Sequence, residues 1–423
     1  MKVNFRQVIA LTAVTALALT GCGGNKGGGA ETGSDGRPKV IVDMWAGGDK
    51  DIAAIKQQVE IAQTALPDIE IELRTAPWGD FFTKLTTNMG TGNMACVTGM
   101  NSGKLSDFKE GFVELTEADL TTAGLSASDL APGATEILSD SGTMYGVPFD
   151  MATMLVYYNI DMIKATGAPE PRNGWTFADF EATAKAATSG DKQGFAVGMG
   201  DFQWQALPIA RAGMQPVTAE GRLDIANPTF VEAATWYAGL VTDQEVALPV
   251  ASASDAGWGE EQYSNGNAAM AVDGTWNAVS YLGNDAGFEV GMVNLPKGPS
   301  GNSLGLVLGS GYGVAKTCQN KEAALKVMGA LLSKEAQDHI ASSGRSYPAR
   351  TESQPLYFTS IDEQYRERVK SAYEAAFTHV EGQHVSPNWS KVNAYIQPEL
   401  VSVYTGAKPM SDVLQSAQQQ FQQ

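Results

Sequence analysis

Val40-Ile41-Val42-Asp43-Met44-Trp45, then Gly47-Gly48-Asp49, then apolar residues at helical spacing from Asp51 to Leu66, then Ile69-Glu70-Ile71-Glu72-Leu73: this order decides the fold. The first run is β-branched, as a buried strand requires, and the glycines end it. Pro67 lacks an N–H and stops the helix before it. Strict alternation in the last run puts one side chain in two on a covered face. Strand, helix and strand within about 35 residues make a βαβ unit with parallel strands. A second helix over Gly79 to Met89 leads to Cys96-Val97-Thr98-Gly99-Met100, which reads as the next parallel strand. The first lobe is therefore an open α/β sheet, and in such sheets ligands bind beyond the carboxyl ends of the strands. Trp45, Asp49, Trp78 and Asp80 fall just past those ends.

Upstream of that unit the chain carries its address. Lys2 and Arg6 form a positive head, Val8 to Leu19 is apolar apart from Thr12 and Thr15, and small residues lead to Cys22, the layout of a secretory signal over residues 1–21. An apolar run of about 12 residues is too short for a membrane span, which needs roughly 20. Leu19-Thr20-Gly21-Cys22 resembles the bacterial lipobox, which implies acylation of Cys22 after the signal is cut. Each buried CH₂ adds about 0.8 kcal/mol, so two or three chains anchor well where one does not. A plain cleavable signal with an incidental cysteine is the alternative. Residues 22–37 hold many glycines with short polar residues, the composition of a flexible tether, and the folded part is expected to start near Pro38.

About 385 residues remain, enough for two domains, and 43% hydrophobic content suits a well-packed body. Net charge is −18, and −20 once Lys2 and Arg6 are lost (−18 minus 2), which excludes nucleic acid as a partner. Cys96 and Cys318 are left after Cys22 is lipidated; in an oxidising exterior they form a disulfide or remain two buried thiols. No Cys/His zinc spacing exists, and His379 and His384 stand five apart, on different helical faces, so neither a metal nor another cofactor is expected.

The middle of the chain carries a family resemblance. Tyr145-Gly146-Val147-Pro148-Phe149-Asp150, Tyr157-Tyr158-Asn159-Ile160-Asp161-Met162, Gly167-Ala168-Pro169-Glu170-Pro171 and Trp175-Thr176-Phe177-Ala178-Asp179-Phe180 succeed one another. After them come Asn265-Gly266-Asn267-Ala268-Ala269-Met270, Asp273-Gly274-Thr275-Trp276, Ser310-Gly311-Tyr312-Gly313-Val314-Ala315 and Ser343-Gly344-Arg345-Ser346-Tyr347-Pro348-Ala349. Together these resemble, in order, the extracellular solute-binding proteins of family 1, which include maltose-binding protein. Thr176 follows Trp175 where the family has the reverse order, yet it can still cap a helix over Phe177 to Ala187.

The resemblance implies two α/β lobes of a periplasmic-binding-protein-like fold, joined by several hinge crossings with a ligand cleft between them. Lobe 1 is expected over 38–147 and 311–345, lobe 2 over 148–310 and 346–423, with crossings near Val147 to Asp150, Gly305 to Tyr312 and Arg345 to Ala349. It further implies a monomeric, lipid-anchored binding protein on the extracytoplasmic face of the cell membrane. Such a protein hands a carbohydrate to the transmembrane permease subunits of an ABC importer.

Sugar chemistry asks for flat aromatic platforms against C–H faces and polar side chains for the hydroxyl rim. Several of the eight tryptophans stand beside short polar residues: Trp45, Trp78 beside Asp80, Trp204, Trp258, Trp276 beside Asn277, and Trp389. Trp276 leads, because it matches the family's ring-stacking tryptophan. Asp150, at the first crossing, is expected at the cleft floor, with Arg345 donating to a rim oxygen or pairing with Asp150; Tyr312 and Asn277 are nominated by place alone. Met151 and Met154 read as core. Scarce cationic residues at these positions argue against anionic solutes. A polyamine is the alternative ligand, since Asp and Trp also build cation sites. A secreted glycosidase would need a paired-carboxylate spacing, and none stands out; no GxSxG, HExxH or GxxxxGK[ST] occurs. An adhesin should show repeats, and none are visible. The Gln-rich end, Ser411 to Phe421, reads as a helix packed on the second lobe.

Overall fold

The computed structural model describes residues 31–33, 36–255 and 257–422. The signal segment, Cys22 and most of the tether lie outside the described residues. Among the described residues no helix is long and apolar enough to cross a membrane. Order begins before Pro38, because Gly36 turns the chain with φ +85° and lets Glu31–Thr32 pair antiparallel with Pro38 and Lys39.

The chain opens with β1 (Pro38–Trp45), α1 (Asp49–Ala65), β2 (Glu70–Ala76), α2 (Trp78–Thr91) and β3 (Val97–Asn101). It then reaches β4 (Val147–Pro148), β5 (Met154–Asn159), α3 (Phe177–Ala187), α4 (Gln203–Ala212), α5 (Pro228–Thr242), α6 (Trp258–Ser264) and β6 (Met270–Gly274). The rest comprises β7 (Val290–Asn294), β8 (Ser310–Val314), α7 (Lys321–Leu331), α8 (Lys334–Ser342), α9 (Glu363–Phe377), α10 (Trp389–Tyr404) and α11 (Met410–Phe421).

In the first sheet β1 pairs in parallel with β2 on one side and β3 on the other, as the βαβ reading expects. β8 then pairs antiparallel with both β3 and β4, so the sheet's centre is completed by a strand from late in the chain. Helices α1 and α7 cover it, and Val40, Val42, Val97, Val314 and Leu331 are fully buried between the layers. β2 is an edge strand, with Lys39 Nζ 3.1 Å from Glu70 Oε1 and 2.7 Å from Glu72 Oε2. Cys96 and Cys318 form a disulfide with Cα atoms 4.9 Å apart, linking the start of β3 to the turn after β8.

The second sheet is antiparallel, in the order β7-β5-β6. Segment 193–196 bridges in parallel to β6 through Ala196 and Ala271. Thr176 caps α3 as expected: its hydroxyl accepts from Asp179 N while Asp179 Oδ2 accepts from Thr176 N. Helix α11 buries Val413, Leu414 and Ala417 against the second lobe, and Met151 and Met154 are core.

Three strands of chain pass between the sheets side by side. Phe149 N donates to Ser310 O, Ala152 and Leu308 exchange both backbone bonds, Met151 N donates to Tyr347 O and Ala349 N to Phe149 O. Those bonds make a narrow hinge of short extended segments, which can twist while the packed layers on either side stay rigid. The molecule thus has the two-lobe architecture expected for its class, with the lobes meeting at a seam.

Candidate functional site

The seam is built around a glycine. After β3 the chain turns through Asn101, whose side chain donates to Gly309 O at 3.3 Å and to Ser310 Oγ at 3.2 Å and so fixes the turn to the hinge. Gly103 follows. A Cβ there would lie 3.1 Å from Phe202 Cζ and 3.2 Å from Gln383 Oε1, both from the second lobe, so the absence of a side chain lets the lobes touch. Lys104 Nζ reaches Asp201 Oδ2 at 3.0 Å, an ion pair across the seam. Helix α10 packs against the same first-lobe segment.

Polar atoms collect here without partners. Ser106 Oγ, Gln383 Oε1 and Ser386 Oγ are buried and unbonded, and the Asp107 carboxylate has Ser390 as its neighbour, through side chain and backbone. Burial raises the Asp107 carboxyl, despite Ser390 and Lys104 nearby. Buried donors and acceptors cost free energy when left unmade, so these atoms are chemically able to take hydrogen bonds from a polar group.

Phe202 leads from this seam to Trp276, with ring centroids 6.1 Å apart and planes at 62°. The Trp276 turn is held from below by hydroxyls and a carboxylate. Tyr157 donates to Gly274 O and Tyr373 to Thr275 O, each at 2.8 Å, while Thr275 N donates to Thr153 O of the hinge at 2.9 Å. Asp273, fully buried, accepts from Gly274 N at 2.7 Å, from Asn277 Nδ2 at 2.6 Å, from Gln203 Nε2 at 3.1 Å and from the Tyr281 hydroxyl. The indole lies on Gly274, where a Cβ would come within 2.2 Å of the ring. Half-buried Trp276 is thereby presented as a plate with few alternative poses. Asn277 spends its amide on Asp273, so it orients the turn.

On the first lobe Trp45 and Trp78 meet edge to face at 4.9 Å, joined by Phe81 and Phe82. Trp78 is 40% exposed, and Asp80 sits exposed in the first turn of α2. These residues share a wall, and no ring contact joins them to Trp276 among the described residues. Trp258, half-buried at the start of α6, packs against the second core.

At the hinge, Asp150 Oδ1 accepts from Ser310 N at 2.6 Å. Burial pushes its carboxyl up to about 7, against the pull of that N–H and of the Arg345 charge. Arg345 does not pair with Asp150 directly: its Nε donates to Asp51 Oδ1 at 2.6 Å, and its guanidinium lies 5.1 Å from the Phe149 ring centre. That pairing corrects the expectation of a direct Asp150 partner: the guanidinium is held by the Asp51 carboxylate through Nε and lies over the Phe149 ring.

Three other nominations fail on burial. Tyr312 is 0% exposed, since β8 is central in its sheet, and its hydroxyl donates to Gln58 Oε1 of α1 at 3.1 Å. Trp204 is 1% and Trp389 2% exposed, both inside the second-lobe core. The polar neighbours that recommended Trp204, Gln203 and Gln205, are themselves buried and bonded inside α4. Sequence reasoning missed Gly103, Lys104, Asp201, Phe202, Gln383 and Ser390. None stands in a pattern that differs from an ordinary polar loop.

Known proteins bear on this arrangement. A maltooligosaccharide ABC transporter solute-binding lipoprotein of Streptococcus pneumoniae is 22% identical over 372 residues, 82% of this chain and 80% of that protein. Among solved structures, an ABC substrate-binding protein of Listeria monocytogenes in complex with cycloalternan superposes with a TM-score of 0.79 at 22% identity, covering 90% of this chain and 97% of that one. Maltose-bound MalE3 of T. maritima superposes at 0.71 with 20% identity, covering 90% and 98%. The fold is shared with both of these solved structures, and the family model for bacterial extracellular solute-binding proteins matches residues 47–338. This chain belongs to that family of bacterial extracellular solute-binding proteins.

Proposed function

We propose that this protein is the substrate-binding component of an ABC importer, that it captures a carbohydrate at the seam between its lobes, and that it acts as a binding protein without catalysis. One observation carries the reading: a fixed aromatic wall, Phe202 and Trp276, stands next to a row of buried polar atoms without partners. A sugar presents both halves of that chemistry at once, C–H faces for the rings and hydroxyls for Asp107, Gln383 and Ser390. The relatives named for maltooligosaccharide and for lactose support the same class.

The geometry supports the following course of capture. With the lobes apart, ligand reaches the Trp276 wall; closing brings Lys104 to Asp201 and places the Ser102 to Asp107 segment over the rim. Ligand shifts that equilibrium only by binding the closed form more tightly, which contacts from both lobes provide. Asp150 and Trp45, Trp78 and Asp80 belong to the proposed site as hinge floor and outer first-lobe wall. The closed form then docks on the permease, with Cys22 acylation keeping the protein at the membrane.

Calorimetric and thermal-shift titrations against mono- and oligosaccharides, polyamines and amino acids test the reading. A carbohydrate should raise the melting temperature, and Trp276→Ala and Phe202→Ala should each weaken that ligand. Stabilisation by a polyamine with no response to any carbohydrate would overturn it.

A further inference from the structure

Beneath the Trp276 wall lie two acids that share one donor. Gln203 Nε2 donates to Glu260 Oε1 at 2.9 Å and to Asp273 Oδ1 at 3.1 Å. Burial raises the Asp273 carboxyl as well, but its further donors in Gly274 N, Asn277 and Tyr281 favour its anion over that of Glu260. Glu260 has fewer donors, Gln203 and its own backbone N–H, and its Oε2 is sealed in the protein with no partner. Two carboxylates that close cannot both stay charged in a dry setting, so the poorly solvated one keeps the proton. The surroundings agree: Glu260 faces Asp273 from β6, Glu261 from its own helix, Tyr237 from α5 and Tyr281 from the short helix after Trp276. The stretch Val197 to Gly200 against α6 carries no charge, and Asp201 beyond it is taken up by Lys104.

We infer that Glu260 is a proton-carrying positioning residue for the binding wall: its protonated form lets Gln203 hold both acids together, and loss of the proton loosens Phe202 and Trp276. The coupling has a short path. Gln203 follows Phe202 directly at the start of α4, and Asp273 grips the Trp276 turn through Gly274 N and Asn277. Ionised Glu260 sets a second negative charge against Asp273 across a single amide, and the cheapest relief is for Gln203 or the turn to move. Carbohydrate affinity should therefore fall as pH rises through neutrality. The role rests on the binding reading of Trp276, but the ring's own behaviour can be read without any ligand.

The full chain labelled with fluorotryptophan, its Trp276 resonance assigned by Trp276→Phe, is followed by fluorine NMR from about pH 5 to about pH 9. The Trp276 resonance is expected to shift with a midpoint near 7, as burial and the Asp273 charge hold the Glu260 carboxyl up to about 7. Glu260→Gln should abolish that titration, and Glu260→Met, neutral and of similar length, should do the same if the glutamine variant folds poorly. Asp150→Asn, which removes the other raised carboxyl, should leave it in place. A Trp276 resonance that stays fixed over this range, or that titrates unchanged in both Glu260 variants, would overturn the inference. A failure of all carbohydrates to bind would instead strike the functional reading and leave this result standing.

Discussion

Trp276 and the Trp45–Trp78 pair are both aromatic surfaces, but they are held in different ways. The Trp276 turn has its carbonyls on tyrosine hydroxyls, its amides on Asp273 and the hinge, and its ring flat on a glycine. Trp45 and Trp78 are held by edge-to-face ring contacts, with Trp78 left open to solvent. The first arrangement spends its conformational entropy during folding and presents a plate ready to stack; the second must order itself when it is used. On the proposed reading, the second lobe would supply a rigid wall and the first an adaptable one.

The sharpest way to break this contrast is to loosen the first lobe as a whole. Cys96→Ser with Cys318→Ser should lower the stability of the folded protein by roughly 2–4 kcal/mol, measured by chemical denaturation, while the environment of Trp276 stays the same. A matching change at Trp276 would mean that the lobes do not hold their walls independently. Next in size, Trp276→Ala should weaken carbohydrate binding by roughly 1–3 kcal/mol in calorimetry, whereas Trp78→Ala should cost less than Trp276→Ala. Gly274→Ala sharpens the point, because it should displace the indole and weaken binding with the ring still present.

The hinge gives a pH test. The Asp150 carboxyl, pushed up to about 7 by burial, binds a proton in the folded state over a range where the unfolded chain has released it. Stability should therefore fall as pH rises from about 4 to about 7, with a slope of at most about 1.4 kcal/mol per pH unit for this group. Asp150→Asn should remove that component in denaturation curves taken across the window. The smallest effect belongs to the ion pair between the lobes: Lys104→Ala should weaken ligand binding by up to about 1 kcal/mol, less so at high salt. A charge-reversed pair, Lys104→Asp with Asp201→Lys, should recover part of the loss.

The sequence was most legible where one element decides its own structure. The βαβ unit and the Thr176 cap follow from local pattern, and the structure holds them close to the expected bounds. Trp204 and Trp389 misled because polar neighbours suggest a surface only when those neighbours are themselves solvated, and in α4 every residue from Gln203 to Ala210 is buried. Tyr312 misled because a crossing strand and a central strand look alike until its partners are known. The seam was illegible for a deeper reason. Gly103, Asp201 and Gln383 belong together only through the approach of distant segments, and no periodicity records that approach.

One feature of the first sheet bears on how the protein folds. Its central strand, β8, comes from Ser310–Val314, after β5, β6, β7 and the helices α3 to α6 have been synthesised. The amino-terminal βαβ unit consequently emerges with an unpaired edge on β3 and cannot close its own core until that late segment arrives. Completion of the first lobe is therefore expected to come late in folding.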